Sequence, residues 1–192
     1  MRVTGTSIAL TVASLLAAGA LGQVNQPGEE THHDRYAAVG ERITVDKGHT
    51  FAVTRVSYGQ YAVNPEWQDK AAISPARFIA VELELTTQAR KTQHAINCTL
   101  VSADGVATPP VQESASYWPE PGFRRFTTVL FESSRGRLAD ATVTCAISDV
   151  ITFYEPRMNV PLGVTDASLD QTWTQSAHRK VVWTPDSLQV VR

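Results

Sequence analysis

Apolar and polar residues alternate along residues 77–87, and this alternation predicts a β-strand with one face in a core and the other in water. Glu82 and Glu84 lie on the polar face. The apolar face carries four aliphatic side chains: Ile79, Val81, Leu83 and Leu85. We therefore expect a central strand of a sheet whose polar face is solvated.

Shorter runs of the same kind lie on both sides of this strand and predict an all-β chain. β-Branched and aromatic residues fill them, Gly48 supplies a hairpin turn, and Asp104 with Gly105 supplies another. The predicted strands around the central one are residues 42–46, 50–58, 94–102, 123–132 and 141–148. This pattern is typical of an antiparallel β-sandwich of about seven to nine strands.

The pattern weakens beyond about residue 149, where we expect a less regular extension of the same domain. Residues 160–164 predict a short edge strand, and Asp166 is placed to cap a helical turn over residues 167–174. Residues 180–183 and 187–191 predict a further pair of strands.

Two long segments, residues 59–74 and 108–122, break the alternation and predict loops rich in aromatic residues. Aromatic side chains combine a large contact area with a polar group, so they are the candidate binding residues of this chain. The alternative is that the tryptophans fold back to cap the core. The candidates are Tyr58, Tyr61 and Trp67 in the first group, and Tyr117, Trp118 and Phe123 in the second.

The chain has two cysteines, Cys98 and Cys145, each on the apolar face of a predicted strand. They show neither Cys-x-x-Cys spacing nor a histidine at metal-binding distance in sequence, so we expect a structural disulfide. The bond would close a loop of about 48 residues, to which the chain-entropy model assigns roughly 4 kcal/mol.

Residues 1–22 begin with the basic Arg2, continue as an uncharged and largely apolar run, and end with small residues at Ala20 and Gly22. This is the pattern of a secretory signal peptide, and its length also suits a single membrane anchor. Both interpretations place the rest of the chain outside the cytoplasm, secreted or anchored to the outer face of the cytoplasmic membrane. Residues 23–38 predict a flexible linker, and residues 39–192 predict one β-sandwich domain.

The 192 residues carry a formal net charge of −2, which does not favour nucleic-acid binding. No catalytic motif, phosphate loop or zinc helix is present in the sequence, so we expect no catalytic residue, cofactor or metal site. The adjacent His32 and His33 fall in the linker and are expected to be solvated. Glu82 and Glu84 are read as a solvated strand face rather than an acid–base pair.

Three features together resemble a bacterial immunoglobulin-like domain of unknown function, found in exported lipoproteins and in membrane-anchored envelope proteins of actinobacterial type. They are residues 39–41 ahead of the first strand, residues 78–85 as the central strand, and Pro121 with Gly122 upstream of residues 129–132. The resemblance covers residues 39–148 and implies an immunoglobulin-like sandwich. The chain departs from the pattern at residues 86–87 and in lacking a lipobox cysteine.

These observations predict an exported, non-catalytic module that binds a protein or a cell-envelope component. Contact with a membrane is expected only through residues 1–22, if they are retained. Two alternatives stay open: a membrane-anchored accessory subunit of a transport or secretion system, and a small secreted hydrolase or carbohydrate-active protein.

Overall fold

A computed structural model describes most of the chain from His33 onward. The described residues are 33–45, 48–65, 70–88, 95–111, 116–148, 156–184 and 186–191. The predicted signal peptide or anchor, residues 1–22, lies outside them. Within the described part, no helix is both long enough and apolar enough to cross a membrane.

The described residues form twelve strands, one α-helix and a short 3-10 turn at Arg135–Arg137. In chain order the elements are β1 (His33–Tyr36), β2 (Arg42–Thr44), β3 (His49–Val63), β4 (Ala71–Thr87), β5 (Ala95–Val101), β6 (Ala107–Thr108), β7 (Ser116–Tyr117), β8 (Phe123–Ser133), β9 (Thr142–Ser148), β10 (Pro156–Pro161), α1 (Asp166–Ser176), β11 (Lys180–Val182) and β12 (Ser187–Val190).

The strands form two six-stranded sheets that face each other across one core, so the prediction of a β-sandwich is confirmed. Sheet A has the order β1-β10-β9-β5-β6, with β7 also paired to β5. Sheet B has the order β11-β3-β4-β8-β12, with β2 also paired to β3. The main core joins the inner faces of both sheets, with Phe51, Leu83 and Phe131 from sheet B against Leu100 and Met158 from sheet A.

The central position of β4 is confirmed, because β3 and β8 pair along its two edges. The prediction that its outer face is solvated is wrong. Glu84 is only 8% exposed because the guanidinium groups of Arg42 and Arg124 cover it. Ala80, on the same face, is buried in a second apolar cluster with Trp183.

The flexible linker predicted for residues 23–38 ends earlier than expected. His33–Tyr36 forms β1, which pairs in parallel with β10 in sheet A. All four of its residues are exposed, so no hydrophobic alternation marks this strand in the sequence. It is held by polar contacts instead: Asn159 Nδ2 donates to Asp34 Oδ1 at 3.1 Å, and Arg35 Nη1 donates to the Thr44 carbonyl at 2.7 Å.

The first predicted loop is shorter than expected, because β3 runs on to Val63 and β4 begins at Ala71. A register shift lies between Gly59 and Tyr61, which allows the pairing to continue past the point where the alternation lapses. Gly59 has no side chain, and a Cβ there would lie 2.6 Å from the carbonyl oxygen of Arg179. The close approach of the two backbones therefore requires glycine at position 59.

The helical turn predicted at residues 167–174 is present as α1, although its N-cap is Thr165 and not Asp166. The buried Arg77 of β4 holds the last turn of α1. Its Nε donates to Ser176 Oγ at 2.9 Å, its Nη2 donates to the Trp173 carbonyl at 3.1 Å, and its Cζ lies 4.2 Å from the centre of the Trp173 ring. A cation at the C-terminal end of a helix is favoured by the helix dipole.

The two C-terminal strands do not pair with each other as predicted. β11 pairs in parallel with β3, and β12 pairs antiparallel with β8. They therefore lie at opposite edges of sheet B. Trp183, which follows β11, packs over the outer face of β4 in the second apolar cluster.

The predicted disulfide is present between Cys98 and Cys145, which are direct cross-strand partners on β5 and β9. Both residues are buried in the main core. The bond therefore joins two neighbouring strands within sheet A, and it does not cross between the sheets.

We expect the double variant Cys98→Ala, Cys145→Ala to lose roughly 4 kcal/mol of unfolding free energy, because its unfolded chain regains the freedom of a loop of about 48 residues. Urea unfolding followed by tryptophan fluorescence measures this loss. Wild-type protein unfolded in the presence of reductant should show the same loss. Equal stability of the oxidised wild type and the double variant would contradict a structural role for the bond.

Candidate functional site

The second group of predicted binding residues gathers at one edge of the sandwich. A cleft of about 510 Å³ opens there between β7 of sheet A and strands β8 and β12 of sheet B. We call it the edge cleft. Its walls are Tyr117, Trp118, Glu120, Phe123, Arg125 and Leu188.

The three aromatic residues of the edge cleft differ in exposure. Tyr117 is 48% exposed and Phe123 is also exposed, whereas the adjacent Trp118 is only 3% exposed and belongs to the main core. The Trp118 ring lies edge-on to the buried His49, with 5.0 Å between the ring centres. Trp118 therefore closes the end of the core and forms the base of the cleft, and Tyr117 and Phe123 form its accessible walls.

Exposed hydrophobic side chains concentrate around the edge cleft. Four of the eleven large hydrophobic residues that are exposed in the described part of the chain line the cleft or share its face of β12. The four are Tyr117, Phe123, Leu188 and Val190. Scattered exposed apolar residues are normal on a protein surface, whereas a contiguous group beside a cleft is typical of an interaction site.

The charged residues of the edge cleft have limited freedom. Arg125 Nη1 donates to Asp186 Oδ2 at 3.2 Å, which ties β8 to the residue just before β12. The Nε atom of Arg125 is buried and donates to no described residue. The Nε1 atom of Trp118 is also buried and also donates to no described residue. The walls of the cleft therefore contain two N–H groups without a hydrogen-bond acceptor in the described part of the chain.

The first group of predicted residues does not join the edge cleft. Tyr58 and Tyr61 lie in β3 rather than in a loop, because that strand is longer than the sequence pattern predicted. Tyr58 pairs across β3–β4 with Ile79, far along β4 from the end near Phe123. Trp67 lies outside the described residues.

Tyr58 is partly buried against the main core, and its hydroxyl donates to the Leu162 carbonyl, in the segment that follows β10, at 3.2 Å. Burial raises the pKa of Tyr58 to about 12. This side chain therefore connects sheet B to the C-terminal half of the chain.

The described residues contain no group of three or more His, Cys, Asp or Glu side chains placed to hold a metal ion. Glu82 and Glu84, the paired carboxylates of β4, are each engaged by arginine. Arg55 Nε donates to Glu82 Oε1 at 2.9 Å, and Arg42 Nη2 donates to Glu84 Oε1 at 2.6 Å.

No protein-family model matches the chain, and no curated protein matches it. Two solved structures align with it. One is an uncharacterized beta-sandwich protein from Clostridium difficile 630, at 10% identity and a TM-score of 0.44, covering 71% of this chain and 99% of the other. The second is a conserved hypothetical protein from Bacillus anthracis, at 14% identity and a TM-score of 0.45, covering 59% of this chain and 91% of the other.

Stability at alkaline pH tests the position of Tyr58. The folded chain raises the pKa of Tyr58 above the ordinary value of 10.0, so the unfolded chain loses the Tyr58 proton at lower pH than the folded chain does. The contribution of Tyr58 to the unfolding free energy is therefore fully present below pH 10.0 and is lost as the pH rises through about 12. A shift of this size corresponds to about 2 to 3 kcal/mol.

We expect Tyr58→Phe to lose about 1 kcal/mol near neutral pH through the missing hydrogen bond, and to lose less stability than the wild type between about pH 10 and about pH 12. Urea unfolding of both proteins across this range provides the measurement. Parallel pH curves for the two proteins would show that the Tyr58 hydroxyl is not buried as described.

Proposed function

We propose that this protein is an exported, non-catalytic β-sandwich module that binds an extended segment of a partner protein along β12. The single observation that carries the proposal is the concentration of exposed hydrophobic side chains at the edge cleft, beside a strand with a free edge. Two steps support it: the direction of the backbone groups of β12, and the position of its side chains.

The free edge of β12 presents hydrogen-bonding groups to an added strand. Among the described strands, β12 pairs only with β8. The Val191 amide donates to the Gly122 carbonyl at 2.8 Å, which fixes the phase of the ladder. Since backbone groups alternate in direction along a strand, the N–H and C=O groups of Leu188 and Val190 point away from β8. A partner strand can therefore bond to both residues.

The side chains of β12 place such a strand beside the edge cleft. Leu188 lies opposite Arg125, and Val190 lies opposite Phe123, so both aliphatic side chains share a face with two residues of the cleft. Leu188 is 56% exposed and Val190 is 67% exposed. A strand added to β12 would direct alternate side chains toward this face. Apolar side chains at alternate positions are therefore the partner chemistry that fits.

Export is supported by sequence and by the disulfide. Disulfides persist in oxidising compartments, and the bond between Cys98 and Cys145 suits an extracytoplasmic protein. The apolar run of residues 1–22 suits a signal peptide or a membrane anchor. The resemblance to bacterial immunoglobulin-like envelope domains agrees with both. We propose accordingly an immunoglobulin-like domain on the outer side of the cytoplasmic membrane, with a protein of that compartment as its partner.

The proposal is tested with a displayed library of random peptides of about 12 residues, selected on the immobilised, oxidised chain. Peptides that bind the wild type should lose at least about tenfold in affinity for Val190→Pro, which removes an outward N–H group without removing a bond to β8. Val190→Ala is the matched control, because it truncates the side chain and keeps the N–H group. Tyr36→Ala controls for the loss of an exposed hydrophobic residue on the other sheet.

Amide hydrogen exchange identifies the mode of binding. A bound strand should slow exchange at Leu188 and Val190, and should leave Gln189 nearly unchanged because its amide faces β8. Recovery of no peptide, or peptides that bind Val190→Pro as tightly as Val190→Ala, would overturn the proposal. Protection at Gln189 alone would also count against strand addition.

A further inference from the structure

A second cavity, of about 440 Å³, lies on sheet B apart from the edge cleft, where the end of β4 meets the start of β8. Its polar walls include two arginines, three threonines and a glutamine, and no carboxylate is among the described residues of its lining. The six polar residues are Arg42, Arg124, Thr50, Thr86, Thr87 and Gln88. We call this cavity the arginine pocket.

The charge around the arginine pocket is unbalanced. One carboxylate, Glu84, serves both arginines: its Oε1 atom lies 2.6 Å from Arg42 Nη2 and 3.3 Å from Arg124 Nε. The next carboxylate on this face of β4, Glu82, is engaged by Arg55. The cluster of two guanidinium groups and one carboxylate thus has a formal charge of +1 at the wall of a cavity.

The two guanidinium groups have hydrogen-bonding capacity to spare. Arg42 uses one N–H group on Glu84. The Nε atom of Arg124 is close to Glu84 but makes no hydrogen bond with any described residue, because its N–H is not aligned with the carboxylate. Each guanidinium carries five N–H groups in a planar fork that fits an oxyanion. The two guanidinium groups can therefore donate hydrogen bonds to a further anionic oxygen group without displacing Glu84.

The hydroxyl groups of the pocket add further polar capacity. Thr50 and Thr86 are hydrogen-bonded to each other across β3 and β4. Thr87 is 3% exposed, and its hydroxyl has no hydrogen-bond partner among the described residues. The rest of the described lining is Pro121, Gly122 and Val191, so the pocket has an apolar side next to its arginines.

We infer that the arginine pocket binds a single oxyanion group, a carboxylate or a phosphate, carried by a small molecule whose remaining part contacts Pro121 and Val191. Glu84 limits the site to about one negative charge, because it neutralises one of the two arginines. This site is separate from the strand-binding edge, and it needs no partner protein.

The test is a titration of the intact, oxidised chain with acetate and, separately, with inorganic phosphate at constant ionic strength, followed by amide chemical shifts. Saturable shifts should appear at Thr86 and Gly122. A response to acetate alone identifies a carboxylate site, and a response to phosphate alone identifies a phosphate site.

Three variants test the charge arrangement. Arg124→Gln should weaken anion binding by at least about tenfold, and Glu84→Gln should tighten it by about tenfold, because the second guanidinium is then no longer neutralised. Tightening cannot arise from loss of folding, so Glu84→Gln keeps the test valid if Arg124→Gln is unstable. Arg55→Gln is the matched control, since Arg55 lies on the same sheet face and is already neutralised by Glu82.

The inference fails if neither anion gives saturable shifts in the pocket, or if Glu84→Gln binds no tighter than the wild type. An equal loss in Arg55→Gln and Arg124→Gln would also overturn it, because it would show a diffuse attraction by positive charge and no defined site. Leu188→Ala alters the edge cleft at a residue that does not line the arginine pocket, so it should leave anion binding unchanged and keep the outcomes for the two sites separable.

Discussion

The central strand β4 must be covered on both faces, because its outer face carries Phe78 and Ala80 as well as charged residues. Sheet A, in which a disulfide joins β5 and β9, covers the inner face. Covering the outer face requires the C-terminal part of the chain, because β11 and Trp183 close over its apolar end. Arg77 anchors α1 on the side of the main core, where Leu169 and Trp173 pack. The C-terminal segment is therefore part of the domain and not an appendage to it.

The outer face of β4 divides into an apolar half and a charged half, and the division explains how a carboxylate is kept nearly buried. A buried carboxylate without partners is costly, so Glu84 is stable there only because Arg42 and Arg124 reach it from two other strands. The same arrangement leaves one positive charge in excess. The two arginines that stabilise Glu84 thus also create an anion-binding surface at the end of the sheet.

Strand alternation was enough to predict the sandwich, the central strand and the partner cysteines, because all three depend on a repeat of two residues within one segment. Features that depend on distant residues could not be predicted in this way. The two arginines that cover Glu84 lie about 40 positions away in either direction. The strand β1 is exposed throughout and has no apolar face to mark it. The candidate residue Tyr117 ends the short strand β7 and Trp118 follows it directly, and only the register of β7 against β5 determines which of the two is buried.

The edges of the two sheets differ in how they are protected against pairing with other chains. Charged residues occupy β1, which carries Asp34 and Arg35, and β11, which begins with Lys180. Charges and short length are the usual means of blocking an exposed edge. β12 has neither a charged residue nor a proline within Ser187–Val190, and it exposes two aliphatic side chains beside a cleft. An unprotected apolar edge is a liability for a protein that works alone, since it invites aggregation. It becomes an advantage when a partner strand covers it, and this difference from β1 and β11 is the physical reason to propose recognition at β12.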